Sequence, residues 1–390
     1  MQTDAIPLIM GILIFLASLI SLRLGLSVAI VEMLLGAFLG NLGIIQSEAW
    51  MLYLATFGGV VLTFLAGTEI DLVLMREKFR QSFLIGFFSF LCPFLAVFLY
   101  TYFLAGWTLP ASLIAGTALS TTSLAVVYSV LVESGLNRYE FGKIIMAATF
   151  VTDMGTVTAL SILFIKPTLY TLLFIVISII VIVVAMRYSH LLFQHPMIKN
   201  KVAEPEVKFV FLLLLIFMLF AGVGDGQAVL PAFVLGLFMA KPREAGKGFV
   251  ECVEMHGVKN KLRTVAYAII TPVFFIVGGL NMSVPLILSA LGLFIVLFCI
   301  KIASKFIGVY KFSTKFIPGA GMYTTLLMST GLTFGTIASV FGYQQGYINQ
   351  TQYSVLIGVI VASAVIPTVI AEKWFRPVHS EDMGEMEPIR

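Results

Sequence analysis

About thirteen apolar stretches, most of them roughly 20 residues long, follow one another along this 390-residue chain with short polar connections between them. A bilayer core takes about 20 apolar residues per helix, and lipid offers no partner to an unpaired backbone group. A chain patterned in this way has one broad solution, a bundle of transmembrane helices. Composition agrees: 59% of residues are hydrophobic and 11% are charged, against about a quarter charged in a soluble domain. The expected spans are 5–22, 26–45, 50–69, 82–105, 109–132, 141–164, 167–187, 207–223, 227–240, 263–280, 284–308, 318–342 and 352–372. The ninth is short and contains Pro231. The first has the length of a span and no obvious small-residue cleavage site, so it reads as a retained helix.

Lys and Arg set the expected orientation. Of 24 such residues, 21 follow odd-numbered spans, Lys166 alone falls on the other side, and Lys301 and Lys305 lie inside the eleventh span. Cytoplasmic loops carry the excess of positive charge. The N-terminus is therefore expected outside and the C-terminus inside a cell (inner) membrane. The tail, 373–390, is too short to fold alone. The net charge of +4 gives no indication of nucleic acid. Cys92, Cys252 and Cys299 are widely spaced and read as small apolar packers. His190, His195, His256 and His379 are expected in polar loops or the tail. No metal cluster, cofactor or phosphate-binding Gly-x-x-x-x-Gly-Lys-Ser/Thr loop is indicated.

Asp153 is the most informative single residue. It stands about ten residues into the apolar stretch 144–165, in GKIIMAATFVTDMGTVTALSILF. An ionisable group at that depth is costly and usually faces a cavity, a partner or a substrate. Thr149 and Thr156, four before and three after it, share its helix face, with Thr152 adjacent. A carboxylate among hydroxyls is a hard-oxygen site suited to Na⁺, Li⁺, K⁺ or H⁺. Burial pushes a carboxyl toward protonation and a bound cation opposes it, so such a group can trade a proton for a metal ion.

Two pairs of segments echo each other across about 210 residues. FLAGTEIDL (64–72) is like FIVGGLNMSV (275–284), and ALSTTSLAVV (118–127) is like LLMSTGLTFG (326–335). Members of each pair lie seven spans apart, an odd number, so the copies run in opposite directions through the membrane. Within spans five and twelve, Ser120, Thr121, Thr122 and Ser123 and then Ser329, Thr330, Gly331 and Thr333 weaken the helix. Interrupted helices at that depth occur beside protein or water, and their half-helix ends can hold ions.

The other charges have alternative readings. Lys301 and Lys305 lie four apart on one face, toward the cytoplasmic half of span eleven; either one snorkels or Lys305 is a buried charge partner. Glu32 precedes Gly36 and Gly40, a close-packing face, and is either structural or beside an entry path. Asp225 is expected in an external turn. Glu69 and Asp71 are expected to end span three with ion pairs to Arg76 or Lys78.

Four segments resemble the cation:proton antiporter-2 family. FLAGTEIDLVLMREKFRQS is similar to that family's third-span ending, and ALSTTSLAVVYSVLVESGLNRYEFGKIIMAATFVTD to its crossing helix and ion-binding helix. TPVFFIVGGLNMSV is similar to the run before the lysine helix, and the Lys305-x-x-Gly308 pattern selects Lys305 over Lys301. The resemblance implies that Asp153 carries cation and proton in turn. Thr152 stands where members have Asp, Asn or Gln, which implies one-for-one, electroneutral exchange and deprives Lys305 of its usual acidic partner. Leu332 and Thr333 depart from the Gly-Glu pair of many relatives.

Together these readings predict an all-α membrane protein of about thirteen transmembrane helices, with inverted repeats and two crossed broken helices. The chain is expected to be one transporter domain: a core bundle at about 82–164 and 284–342, with the other helices as a scaffold for a homodimer. The expected function is Na⁺ or K⁺ exchange against H⁺. Thr122, Ser123, Thr149 and Thr152 would attend Asp153, and Thr121, Ser329, Thr330 and Gly331 would form the breaks. An organic-anion symporter of related fold and a cation channel or sensor are the alternatives.

Overall fold

The computed structural model describes residues 5–24, 26–69, 77–136, 139–164, 169–194, 203–223, 228–239 and 255–377. Among them the regular structure is helical throughout. In chain order the helices are α1 (Ile6–Leu24), α2 (Val28–Asn41), α3 (Ala49–Thr68), α4 (Phe79–Leu99), α5 (Leu109–Ser120), α6 (Leu124–Glu133), α7 (Glu140–Leu163), α8 (Leu169–Gln194) and α9 (Pro205–Val223). They continue as α10 (Val229–Met239), α11 (Met255–Val265), α12 (Thr271–Leu280), α13 (Val284–Ser289), α14 (Leu291–Phe316), α15 (Gly321–Met328), α16 (Thr333–Gln344) and α17 (Gln350–Trp374). Wider π-helical turns extend α4 over Tyr100–Leu104 and join α11 to α12 over Ala266–Ile270. Among the described residues nine helical stretches are long and apolar enough to cross a membrane, and four shorter apolar ones accompany them.

The expected spans five and twelve are indeed interrupted, at 121–123 and 329–332. The eleventh differs from expectation. Val284–Ser289 is a separate short helix opened by Ser283 and Pro285, and the chain turns at Ala290 before Leu291–Phe316 begins. Lys301 and Lys305 therefore lie near the middle of α14 instead of toward one end. His190 and His256 lie within α8 and α11 instead of in loops. His195, His379, Asp71, Arg76, Lys166 and Asp225 lie outside the described residues. Cys92 is half-buried and packs where Gly308 meets α4, as a small apolar packer would, whereas Cys299 is exposed; both are free thiols, and Cys252 lies outside the described residues.

The chain divides into two compact units, one of Met1–Met51, Val73–Leu160 and Phe275–Arg390, the other of Leu52–Leu72 and Ser161–Phe274. In the first, glycines let backbones meet. A Cβ at Gly36 of α2 would stand 2.2 Å from the Ile276 carbonyl oxygen, and one at Gly279 would stand 2.0 Å from that of Met33. The expected close-packing face of α2 is thus filled by the end of α12. In the same way Gly308 brings α14 onto α4, since its Cβ would lie 2.5 Å from the Phe88 carbonyl oxygen. Small residues at helix contacts allow this approach.

The second unit has its own core, around Phe64, Leu214, Phe217 and Ala232. Lys259 Nζ closes the end of α3 by donating to the Thr68 carbonyl at 2.9 Å, and Arg263 reaches Glu69 at 3.6 Å. Glu69 thus finds its cation on α11, far away in sequence, while Lys78 pairs with Glu140. Burial raises Glu69 above the ordinary carboxyl range, with Arg263 and then Lys259 opposing that shift.

Candidate functional site

The site is built within the first unit, where two helices stop in mid-course. Thr108 caps the start of α5, accepting from the Ala111 amide at 3.4 Å. The helix ends at Ser120 because Thr121 turns extended, with φ −66° and ψ 155°. Hydroxyls satisfy carbonyls that the helix leaves open: Ser120 Oγ donates to Thr117 and Thr121 Oγ1 to Ala118, at 2.9 and 3.2 Å. In the second break Ser329 Oγ donates to Thr325 and Thr330 Oγ1 to Leu327, at 2.8 and 2.7 Å. These are the local bonds by which Ser and Thr compete with a continuing helix.

The two breaks meet. The Ser123 amide donates to the Thr330 carbonyl at 3.0 Å, and Thr122 Oγ1 donates to the Met328 carbonyl at 2.9 Å. Ser123 and Thr333 share a hydroxyl contact of 3.4 Å. Ser120, Thr121, Thr122, Ser123, Ser329 and Thr330 are all fully buried. The segments likened in the sequence are therefore joined to each other, polar backbone against polar backbone.

Lys305 anchors the first break. Its ammonium donates to Ser89 Oγ and to the Ser120 carbonyl at 2.8 Å, and to Thr122 Oγ1 at 3.0 Å. The Ser120 carbonyl is the negative end of the α5 dipole, where a cation is stabilised. Gly308, one turn on, explains the Lys-x-x-Gly pattern: it brings α14 close enough to α4 for Lys305 to reach Ser89. Lys301 is buried too, and donates to Ser363 Oγ of α17 at 2.7 Å. Neither lysine snorkels. The burial of Lys301 and its partner Ser363 escaped the sequence reading; a serine in the middle of the apolar last span was the available signal.

Asp153, 1% exposed, lies on α7 between Thr149 and Thr156. It is within Coulombic range of Lys305. Gly86 brings α4 against this part of α7, its missing Cβ falling 2.4 Å from the Ala148 carbonyl oxygen. Thr149 Oγ1 donates to the Ile145 carbonyl at 2.9 Å and touches Met328 Sδ at 3.6 Å, so this turn of α7 abuts the second break. Thr152 Oγ1 donates to the Thr149 carbonyl at 2.5 Å and Thr156 Oγ1 to that of Thr152 at 3.0 Å. Each hydroxyl spends its proton on the helix and keeps oxygen lone pairs. The result is a buried carboxylate on a hydroxyl-rich turn of α7, with Lys305 within Coulombic range. Glu32, 3% exposed on α2, is a second buried carboxyl of this unit.

Such a site can bind a small hard cation or a proton. It has no obvious nucleophile–base pair, and among the described residues no cluster of three metal-ligating side chains.

The chain as a whole is similar to known proteins. A profile of the family described as "Sodium/hydrogen exchanger, transmembrane" matches residues 11–375. A "Probable Na(+)/H(+) antiporter 3" of Methanocaldococcus jannaschii is 24% identical over 368 residues, 90% of this chain and 89% of that protein. The "Na(+)/H(+) antiporter" of Enterococcus hirae is 25% identical over 395 residues, 94% of this chain and 96% of that one. The solved structure of the sodium proton antiporter MjNhaP1 from Methanocaldococcus jannaschii shares the fold, with a TM-score of 0.67 at 15% identity over 96% of this chain and all of that chain. The match along residues 11–375 places the chain in the sodium/hydrogen exchanger family of membrane transporters.

Proposed function

We propose that this protein exchanges Na⁺ or K⁺ for H⁺ by alternating access, with Asp153 holding cation and proton in turn. The observation that carries the proposal is the burial of Asp153 on α7 beside the joined breaks. A carboxylate there binds one positive charge at a time. Thr149 and Thr152 supply oxygens beside it, and Thr122 and Ser123 supply oxygens from the first break. Lys305 neutralises the end of α5 through its bond to the Ser120 carbonyl. Residues at about 82–164 and 284–342 form the moving core, and the remaining helices form the scaffold and a homodimer contact. A proton gradient then drives net cation export without hydrolysis of any fuel.

The experiment is a dye assay in proteoliposomes with Li⁺, Na⁺, K⁺ and Rb⁺. Wild type should couple added cation to a pH change without free conductance. Asp153→Asn should abolish that change while still inserting in the membrane. Exchange at unchanged apparent affinity in the variant overturns the assignment.

The loop charges support an N-terminus outside and a C-terminus in the cytoplasm of a cell membrane. In a background without native cysteines, Gln345→Cys should react with an impermeant maleimide on intact cells. Trp374→Cys should react only after permeabilisation; the reverse pattern sinks this orientation.

A further inference from the structure

Lys301 takes no part in the exchange proposed above, yet it is fully buried. Among the described residues it forms no ion pair with a carboxylate. An ammonium at membrane depth is costly unless the protein solvates it. Its ammonium donates to Ser363 Oγ, which in turn donates to the Ile360 carbonyl at 2.9 Å.

What else the ammonium faces is shown by Gly331 in the second break. The Cβ that Gly331 lacks would lie 2.6 Å from Lys301 Nζ and 2.8 Å from both the carbonyl oxygen and the hydroxyl oxygen of Thr121. Lys301, the first break and the second break thus converge on one small volume, open because residue 331 has no side chain. Its oxygens are a backbone carbonyl and two hydroxyls, from Thr121 and Ser363. That is the donor set a hard monovalent cation takes. Lys305 stands one turn away, on the Ser120 carbonyl.

We propose that Lys301 is a positioning residue acting as a tethered cation: its ammonium fills a monovalent-cation site formed where the broken helices cross by Thr121, Ser363 and the space beside Gly331. By filling that site from its own chain, the protein denies the crossing to free metal ions. Exchange is thereby confined to one ion site per chain. The proposal stands on the crossing itself and does not depend on Asp153 being the exchanging group.

The test uses the full-length protein in detergent with Asp153→Asn as background, and reads unfolding temperature against Na⁺ and K⁺ at constant ionic strength. Asp153→Asn alone should show no saturable stabilisation by either ion. Adding Lys301→Ala empties the proposed site, and a saturable rise of about 2 °C or more should appear as ion binds the folded state. Lys301→Met, which fills the volume with an apolar chain, should show none, and neither should Lys301→Arg. A folded Lys301→Ala double variant indifferent to both ions overturns the proposal. Should Lys301→Ala fail to fold, Lys301→Ser is measured in its place; recovery of neither at high Na⁺ also overturns it, because salt would refill a vacant cation site. Failure of the Asp153 reading would appear in the single variant, and failure of this one in the double variant.

Discussion

Lys305 shows how one residue keeps a charge inside an apolar bundle. Its three hydrogen bonds go to three different kinds of acceptor position: a hydroxyl on α4, the last carbonyl of α5 and a hydroxyl in the break. Lys305→Met removes all three donors and leaves the Ser120 carbonyl unmet in a dry interior. A buried acceptor stripped of its partner costs about 1–3 kcal/mol. We expect a lower unfolding temperature in detergent as well as slower exchange; an unchanged melting curve would mean that the ammonium does not hold the break. At this scale the sequence was partly legible. Asp153 stood out because a carboxylate in an apolar run has few structural uses, and Gly308 marked Lys305. The fully buried Lys301 did not stand out, because its acceptor is more than 60 residues away on α17. Spacing along one helix cannot report a contact made across the bundle.

Elements were more legible where local chemistry decides the backbone. Both breaks were expected from clusters of Ser, Thr and Gly, and at both the side chains bond to carbonyls three residues back in the helix. The turn at Ala290 was not expected, since alanine is a good helix former and Pro285 is tolerated in a first turn. The contact of α2 with the end of α12 makes the sharpest prediction for an element. A methyl at Gly36 would stand 2.2 Å from the Ile276 carbonyl oxygen, which is backbone and cannot rotate aside. Gly36→Ala should therefore separate the helices and destabilise the protein by about 1–3 kcal/mol, as overpacking does. Gly11→Ala, at a position with nothing within 4 Å, is the matched control. Equal thermal stability of the two variants would contradict the close contact.

For the whole molecule, the informative quantity is net charge moved per cycle. Thr152 cannot titrate, so α7 carries no pair of adjacent acids, and we propose one-for-one exchange on that ground. One proton against one cation moves no net charge. Na⁺/H⁺ exchange rates in vesicles should then be the same with the membrane potential clamped at zero or at a large inside-negative value; a rate that follows voltage refutes one-for-one exchange. At this scale the helical membrane class and the family were legible from apolar run lengths and four motifs. The partners of Glu69 and Lys78 were not, because each pairs with a residue on another helix.

The bonds between the breaks also carry a timetable. Thr122 waits for Met328, 206 residues later, and Ser120 waits for Lys305, 185 residues later. A ribosome adding roughly 5–20 residues per second takes on the order of 10 s or more to deliver those partners. Throughout that interval the nascent first half carries an unfinished polar notch, with the larger segment of the second unit, Ser161–Phe274, made in between. Biogenesis of this transporter is therefore a matter of sheltering one half-made joint until its counterpart emerges, and the insertion machinery has to tolerate that delay.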